Sequence, residues 1–204
     1  MNNHELENIL KTQGYKLICG VDEVGRGCLA GKVFACAIIM KDGSNIDGVT
    51  DSKKICDKKR RELYPKILEE SICYNVSSID VSVIDEINIL EASRLAMVEA
   101  IKGLSVKPDF IMTDYMEIDT DIPYNSLIKG DLYSYTISCA SIVAKVERDN
   151  YMIELSKEYP EYEWDKNKGY GTKKHLESLK KYGITKYHRL SYKPIKKIIE
   201  QEKI

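Results

Sequence analysis

Short apolar runs alternate with amphipathic stretches along this chain. The apolar runs have the length of strands and lie at about 17–21, 33–40, 73–81, 110–113 and 124–128. Helical spacing or a polar start predicts helices over about 57–70, with Asp57 as the cap, and over about 89–102, 137–157 and 175–182. A further helix start lies at 82–85, and residues 196–199 are consistent with a short helix or an interaction peptide. Strands and helices mixed in this order predict an α/β fold with helices packed on a sheet.

Length and composition fit one globular domain covering residues 1–204. The chain is 43% apolar and 31% charged, which is ordinary for a soluble protein. The longest apolar run, 33–40, is too short to span a bilayer, and the N-terminus lacks the features of a signal peptide. We therefore expect a cytoplasmic protein without membrane association. Within it we expect a core over about 1–158 and a basic, helical C-terminal part over about 159–204.

The six cysteines are scattered and form no C-x-x-C pair. Without an export signal, we expect them to be reduced and to pack as small apolar side chains. A zinc site is disfavoured, since the chain has three histidines and none pairs with a cysteine at ligand spacing.

The net charge is −1, but the charges are unevenly distributed. Acidic residues dominate between Asp109 and Glu163, and lysines dominate from residue 165 onward. An acidic middle beside a basic tail suits a cation site next to a phosphate-binding surface. The alternative is a pair of ordinary solvated faces.

Acids follow three of the predicted strands: Asp22 with Glu23, Asp114, and Asp131. Burying charge at a strand end is costly without a partner, and oxygen ligands suit Mg²⁺ or Mn²⁺. Two such ions can promote phosphodiester hydrolysis. Asp22 and Glu23 can both reach one site only if the strand ends or twists between them, which the glycines that follow make reasonable. Each acid could instead be a cap, a turn residue or a surface charge.

Several ordered sequence blocks closely resemble the ribonuclease HII (type 2 ribonuclease H) family. The blocks are GVDEVGRGCLAG at 20–31, DSKK at 51–54, the strand ending at Asp114, KGD at 129–131, SCASIVAKVERD at 138–149, GYGT at 169–172 followed by His175, and HRLSY at 188–192. The resemblance extends from about residue 16 to residue 194. It implies a ribonuclease H-like fold, with a five-stranded mixed sheet flanked by helices and a C-terminal helical part.

The resemblance also implies an activity and a catalytic site. The activity is endonucleolytic hydrolysis of the RNA strand of RNA–DNA hybrids, including single ribonucleotides embedded in duplex DNA, which leaves 3′-hydroxyl and 5′-phosphate ends. Asp22, Glu23, Asp114 and Asp131 are the implied catalytic residues, and they would hold two Mg²⁺ or Mn²⁺ ions. We expect a monomer whose partner is ribonucleotide-containing duplex.

Substrate-binding residues follow from the same resemblance. Gly25, Arg26 and Gly27 resemble the segment that reads the 2′-hydroxyl, which fits the close backbone approach that glycine permits. Tyr170 resembles the tyrosine that stacks on the sugar after the ribonucleotide; its alternative is a core tyrosine under a turn. We expect phosphate contacts from three basic residues, Lys53, Lys145 and Arg148, although Lys145 could instead pair with Asp149 on the same helix. His175 is expected to be structural, hydrogen-bonded within its helix.

Two departures from the family pattern stand out. Lys32 occupies a position where proline is usual, and Asp114 is followed by Tyr115 instead of glycine. Asp114 is therefore the least secure of the four acids, and its rivals are Asp109, Asp119 and Asp121. Other functions weighed are a ribonuclease HIII, which normally has lysine in place of Arg26 and an extra N-terminal domain, a non-catalytic nucleic-acid-binding module, and a Mg²⁺-dependent phosphatase.

Overall fold

A five-stranded mixed sheet forms the centre of the molecule. The computed structural model describes residues 4–50 and 55–201. Its strands are β1 (Ile18–Val24), β2 (Val33–Met40), β3 (Ser71–Ile79), β4 (Phe110–Asp114) and β5 (Tyr124–Leu127), in the spatial order β3-β2-β1-β4-β5. β2 is antiparallel to both of its neighbours, β1 and β3, whereas β4 is parallel to β1 and β5 is parallel to β4. The predicted five-stranded mixed sheet is confirmed.

The helices lie before, between and after the strands. They are α1 (Glu5–Thr12), α2 (Asp57–Glu69), α3 (Val81–Lys102), α4 (Gly130–Tyr133), α5 (Tyr135–Glu158), α6 (Trp164–Asn167), α7 (Lys173–Tyr182) and α8 (Lys193–Gln201). A 3-10 turn, Pro160–Tyr162, precedes α6. The sequence did not predict α1, α4 or α6. The two shorter ones, α4 and α6, have four residues each, which is too short to show a period.

Two helix starts differ in detail from the prediction. The cap of α2 is Cys56, so the prediction of Asp57 as the cap is wrong; Asp57 is the first helical residue and accepts a 2.8 Å hydrogen bond from Arg61 Nε. The two starts predicted near 82 and 89 both fall within α3, which is kinked at Asn88 (φ 69°). The Asn88 side chain caps the second half by accepting from the Leu90 N–H at 2.9 Å.

The two faces of the sheet bury different helices. α3 covers the face that carries Val21 and Ala37, and α5 covers the face that carries Cys36 and Ile38. At Gly20 an added Cβ would lie 2.5 Å from the backbone of Thr136, so glycine lets the start of α5 approach β1. All six cysteines are free, and five are buried as predicted for small apolar side chains, whereas Cys56 is exposed.

The C-terminal elements pack on the loop that follows β1. Leu29 and Ala30 of that loop share a buried cluster with Trp164, Leu179 and Ile195. In the part of the chain that the structure describes, no helix is long and apolar enough to cross a bilayer. The C-terminal part thus shapes the segment directly after the strand that carries Asp22 and Glu23.

Candidate active site

Asp22 and Asp114 lie at one edge of the sheet, on neighbouring parallel strands. Val21 of β1 is opposite Thr113 of β4, and one step further in the same register places Asp22 level with Asp114. Neighbouring strands are about 4.8 Å apart, and side chains level with each other in a parallel pair point to the same face. The ladder between β1 and β4 ends at Val21, so this edge is open beside both aspartates. We call Asp22, Glu23 and Asp114 the carboxylate edge.

Glu23 joins this edge without a break in the strand. β1 continues along β2 to Val24, so the strand does not end between Asp22 and Glu23, and a twist is the remaining way for both to reach one site. Burial raises the pKa of Glu23, nearby Arg26 opposes this rise, and the charge of Asp114 adds to it. Glu23 Oε1 lies 3.4 Å from Arg26 Nη1, whereas Oε2 is buried and has no hydrogen-bond partner. A buried carboxylate oxygen without a donor is an atom that a bound cation would satisfy.

A hydrogen bond connects Asp114 to the backbone that carries Asp131. Asp114 Oδ1 accepts from the Gly130 N–H at 2.8 Å, and Asp131 is the next residue, in α4. The side chain of Asp131 lies outside what the structure describes. Its backbone is nevertheless one residue from an amide that touches the carboxylate edge.

The rivals of Asp114 lie elsewhere. Asp109 precedes the opposite end of β4, and its carboxylate accepts from the Lys16 and Leu17 N–H groups at 2.8 and 2.9 Å. Asp119 and Asp121 are exposed in the loop between β4 and β5. Asp114 is therefore the acid of this region that shares an edge with Asp22.

Among the side chains that the structure describes, no three from His, Cys, Asp and Glu are close enough to hold a metal ion. Asp22, Glu23 and Asp114 are among these side chains and do not by themselves form such a group, and Asp131 lies outside them, so the set of four stays a prediction. Its chemistry fits a hard divalent cation, because every donor would be a carboxylate oxygen. The unpaired Glu23 Oε2 supports the same assignment.

Tyr115 has an unusual backbone conformation directly after Asp114. Its φ is 63°, in the left-handed region that glycine adopts easily and other residues adopt at a cost. Its N–H donates to the Leu127 carbonyl at 2.8 Å, and its side chain is 63% exposed. Glycine, which the family resemblance led us to expect at this position, would adopt this conformation without that cost.

The segment 25–31, here called the glycine loop, follows the carboxylate edge. Gly25 has a φ of 99°, and a Cβ there would clash with the Arg148 guanidinium, so the close packing requires glycine. Gly27 is exposed beside the ring of Tyr170. An isolated antiparallel β-bridge between Cys28 and Tyr170 joins the glycine loop to the segment that carries Tyr170.

Tyr170 lies next to the glycine loop and is 41% exposed, which disfavours the alternative of a core tyrosine. Burial raises the pKa of its hydroxyl to about 12, so the hydroxyl remains protonated at neutral pH. It can therefore donate a hydrogen bond as well as offer a ring face.

The three basic residues predicted to meet phosphates have different surroundings. Arg148 is fully buried, and its guanidinium donates to the carbonyls of Lys32, Lys168 and Ala30 at 3.2, 2.9 and 3.3 Å. The structure gives no support to the predicted phosphate contact of Arg148, because the side chain is enclosed and each of its three nitrogens already donates to a carbonyl. Lys53 lies outside the described residues.

Lys145 forms the ion pair with Asp149 that was its alternative, at 2.6 Å. Its Nζ also lies 5.9 Å from the centroid of the Tyr170 ring, so the charge stays near the glycine loop. Part of the basic tail is paired locally as well: Lys166 and Lys174 both contact Glu163.

A buried polar cluster in the C-terminal part was only partly expected. The Trp164 indole N–H donates to His175 Nε2 at 3.1 Å, and His188 Nε2 lies 3.1 Å from the same atom. His188 Nδ1 accepts from the Thr185 N–H, so its proton is on Nε2 and points to His175. The remaining nitrogen of His175, Nδ1, then donates to the Tyr170 carbonyl at 2.9 Å.

His175 is thus structural, as predicted, but its side-chain partners lie outside its own helix. We call this group of side chains the C-terminal clamp: Trp164, His175, His188, Arg189 and Tyr192. Sequence reasoning assigned no role to His188, Arg189 or Tyr192. The signal available was the block HRLSY at 188–192, and that block does not show what these side chains contact.

A family model described as Ribonuclease HII matches residues 19–195. The chain belongs to the ribonuclease HII family. It is 51% identical over 193 residues to a ribonuclease HII of Caldicellulosiruptor bescii, covering 94% of this chain and 93% of the relative.

Solved structures agree with this assignment. The ribonuclease H2 of Pyrococcus horikoshii matches with a TM-score of 0.79 at 26% identity, over 92% of this chain and 99% of that one. Bst ribonuclease HIII, solved in complex with Mn²⁺, matches with a TM-score of 0.70 at 17% identity, over 98% of this chain and 72% of that one, and shows a shared fold. The chain is accordingly a type 2 ribonuclease H, an endonuclease with ribonuclease H activity.

Proposed function

We propose that this enzyme cleaves the RNA strand of RNA–DNA hybrids with two divalent ions held by Asp22, Glu23, Asp114 and Asp131. It also cuts next to single ribonucleotides within duplex DNA. The observation that carries the proposal is the level placement of Asp22 and Asp114 on neighbouring parallel strands, with Glu23 next in the chain and under the influence of the charge of Asp114. The products have 3′-hydroxyl and 5′-phosphate ends.

The ions are Mg²⁺ or Mn²⁺, and Mn²⁺ is the ion in the Bst ribonuclease HIII structure. When bound, such a pair activates water and stabilises the leaving oxygen of a phosphodiester. Asp22 and Asp114 supply oxygens from adjacent strands, and Glu23 supplies the buried oxygen that lacks a donor. Arg26, 3.4 Å from Glu23 Oε1, limits the freedom of that side chain.

Substrate is positioned by the glycine loop and Tyr170. Gly25, Arg26 and Gly27 offer backbone groups to a ribose 2′-hydroxyl, which is the group that distinguishes RNA from DNA. Tyr170 stacks on the following sugar, and Lys145 meets a backbone phosphate once its pair with Asp149 opens. Because this recognition requires one 2′-hydroxyl next to the cut, a single ribonucleotide is sufficient. We propose that the enzyme acts as a monomer in the cytoplasm.

The decisive experiment uses a labelled DNA duplex with one ribonucleotide, and the same duplex made entirely of DNA as the control. Each is incubated with the enzyme and Mg²⁺, Mn²⁺ or a chelator, and the cut is mapped on a sequencing gel. We expect one cut beside the ribonucleotide with either ion, and none with chelator or without the ribonucleotide. Cleavage in chelator would refute the metal mechanism, and an uncut ribonucleotide duplex would refute the proposed specificity.

A further inference from the structure

The peptide that joins Arg26 to Gly27 is held from its inner side by the C-terminal clamp. The Arg26 carbonyl accepts from Arg189 Nη1 at 3.0 Å and from the Tyr192 hydroxyl at 2.5 Å. Arg189 Nη1 also donates to the Tyr192 oxygen at 2.9 Å, so the three groups form a closed triangle. One carbonyl near the start of the glycine loop therefore has two buried or partly buried donors.

Arg189 also fixes the far end of the loop. Its Nε and Nη2 both donate to the Gly31 carbonyl, at 3.0 and 2.8 Å. The backbone of the same residue donates to the Leu29 carbonyl at 2.9 Å. A single side chain thus links Arg26 and Gly31, which prevents the peptides between them from turning independently.

This arrangement places a charge where solvation is poor. The Arg189 side chain is fully buried, and its burial lowers the pKa of the guanidinium. In the described part of the chain no carboxylate forms an ion pair with it, so its charge is compensated by carbonyl oxygens and a hydroxyl. Burying a guanidinium in this way is costly. The hydrogen bonds that it forms to the loop carbonyls fix the orientation of the glycine loop.

The orientation of that one peptide determines what faces the substrate. In a planar trans peptide the C=O and the following N–H point in opposite directions. Because the Arg26 carbonyl points inward to Arg189 and Tyr192, the Gly27 N–H points outward. Gly27 is exposed and lies beside Tyr170, on the side where the substrate sugar is proposed to bind.

We propose that Arg189 and Tyr192 are positioning residues for ribonucleotide recognition, because they hold the Gly27 N–H toward the ribose 2′-hydroxyl. This rests on the proposed function. A donor fixed before binding loses no further freedom when the substrate arrives, so the preference for a ribonucleotide depends on the clamp. Neither residue touches the substrate.

The test compares two buried-hydroxyl deletions. Tyr192→Phe removes one donor to the Arg26 carbonyl. Tyr162→Phe is the matched control, because the Tyr162 hydroxyl donates to the Gly183 carbonyl at 2.9 Å, away from the loop. Affinities for the single-ribonucleotide duplex and for the all-DNA duplex are measured by fluorescence anisotropy in chelator, and melting temperatures are measured for each variant.

We expect Tyr192→Phe to reduce the ratio of the two affinities about fivefold, the effect of one typical hydrogen bond. Tyr162→Phe should leave the ratio unchanged even where its melting temperature falls equally. Arg189→Lys, which keeps the charge but loses the planar set of donors, should reduce the ratio further.

The outcomes distinguish a failure of the proposed function from a failure of the positioning role alone. If the wild-type enzyme binds both duplexes equally in this assay, the proposed recognition of the 2′-hydroxyl fails, and this inference fails with it. If the wild type discriminates and Tyr192→Phe retains the full ratio, the positioning role is overturned while the proposed function stands. An equal reduction in Tyr162→Phe would also overturn it, because the effect would then reflect general loss of stability.

Discussion

The carboxylate edge and the C-terminal clamp both adjoin the glycine loop, but they differ in whether their buried polar atoms have hydrogen-bond partners. At the edge, Glu23 Oε2 is buried without a partner, and Tyr115 is held at a φ of 63°. In the clamp, Trp164, His175 and Arg189 are fully buried, and the polar atoms of these three side chains are hydrogen-bonded. The carboxylate edge thus contains an unsatisfied oxygen and a strained backbone, whereas these clamp side chains have hydrogen-bond partners.

The difference follows from the role proposed for each region. An edge prepared for cations must present carboxylate oxygens that are not already satisfied, and this destabilises the protein before the ions bind. A clamp that orients backbone must satisfy every donor and acceptor so that one arrangement is preferred.

The largest effect is expected from Asp22→Asn at the carboxylate edge. Loss of one anionic oxygen should reduce kcat by roughly 1000-fold or more, since metal-assisted catalysis contributes several kcal/mol. Binding of the duplex should be largely kept. The checks are cleavage of a labelled hybrid in Mg²⁺ and anisotropy in chelator. Asp119→Asn, at an exposed loop position, is the matched control and should retain full turnover; retained turnover in Asp22→Asn would remove Asp22 from the site.

The clamp should make the protein sensitive to acid. Burial, reinforced by the nearby His175, lowers the pKa of His188 to about 3, from an ordinary value of 6.5; burial also lowers the pKa of His175. Above pH 6.5 both histidines are neutral in the folded and unfolded states, so their contribution is complete. As the pH falls from 6.5 toward 3, the two histidines become protonated in the unfolded chain but stay neutral in the folded clamp. The free energy of unfolding therefore decreases.

The expected loss from His188 approaches about 1.4 kcal/mol per pH unit within that window. Urea unfolding at pH 7, 6, 5 and 4 measures it. His188→Asn cannot titrate, so the free energy of unfolding of this variant should depend less steeply on pH. Equal slopes for the variant and the wild type would contradict the assignment of acid sensitivity to the clamp.

Tyr170→Ala tests the surface between the two regions. Stacking of an aromatic ring on nucleic acid contributes about 1–3 kcal/mol, so cleavage at a single ribonucleotide should fall roughly 5- to 100-fold. Long hybrids offer alternative registers and should be affected less. Steady-state kinetics on both substrates give the comparison, with Tyr182→Ala, an exposed tyrosine of α7, as the control. Equal losses on the two substrates would refute the role of Tyr170 at the junction.

The smallest effect is expected from Tyr115→Gly. Glycine relieves the left-handed strain but adds freedom to the unfolded chain, so the net gain in stability should be at most about 1 kcal/mol. Chemical denaturation provides the value. The same substitution at Tyr124 in β5, where the backbone is extended, should be destabilising. A clear loss of stability in Tyr115→Gly would mean that contacts of the ring outweigh the strain.

The sequence by itself determined the strands, the longer helices and the acids at the strand ends. These features depend on local periodicity, and β2 was predicted over its observed range. The two separate helix starts predicted near residues 82 and 89 also indicated the kink in α3. Local patterns failed where an element was very short, as in α4, and at Cys56, where the backbone begins a helix without a side-chain cap.

Only the tertiary structure decided which polar residues face the substrate side and which are enclosed. Arg148 was expected at a phosphate, but three carbonyls from distant segments surround it. Arg189 and Tyr192 received no role from sequence, since their partner, the Arg26 carbonyl, is more than 160 residues away in the chain. A residue type shows which bonds a side chain can form, whereas burial and long-range backbone geometry decide which of them it does form.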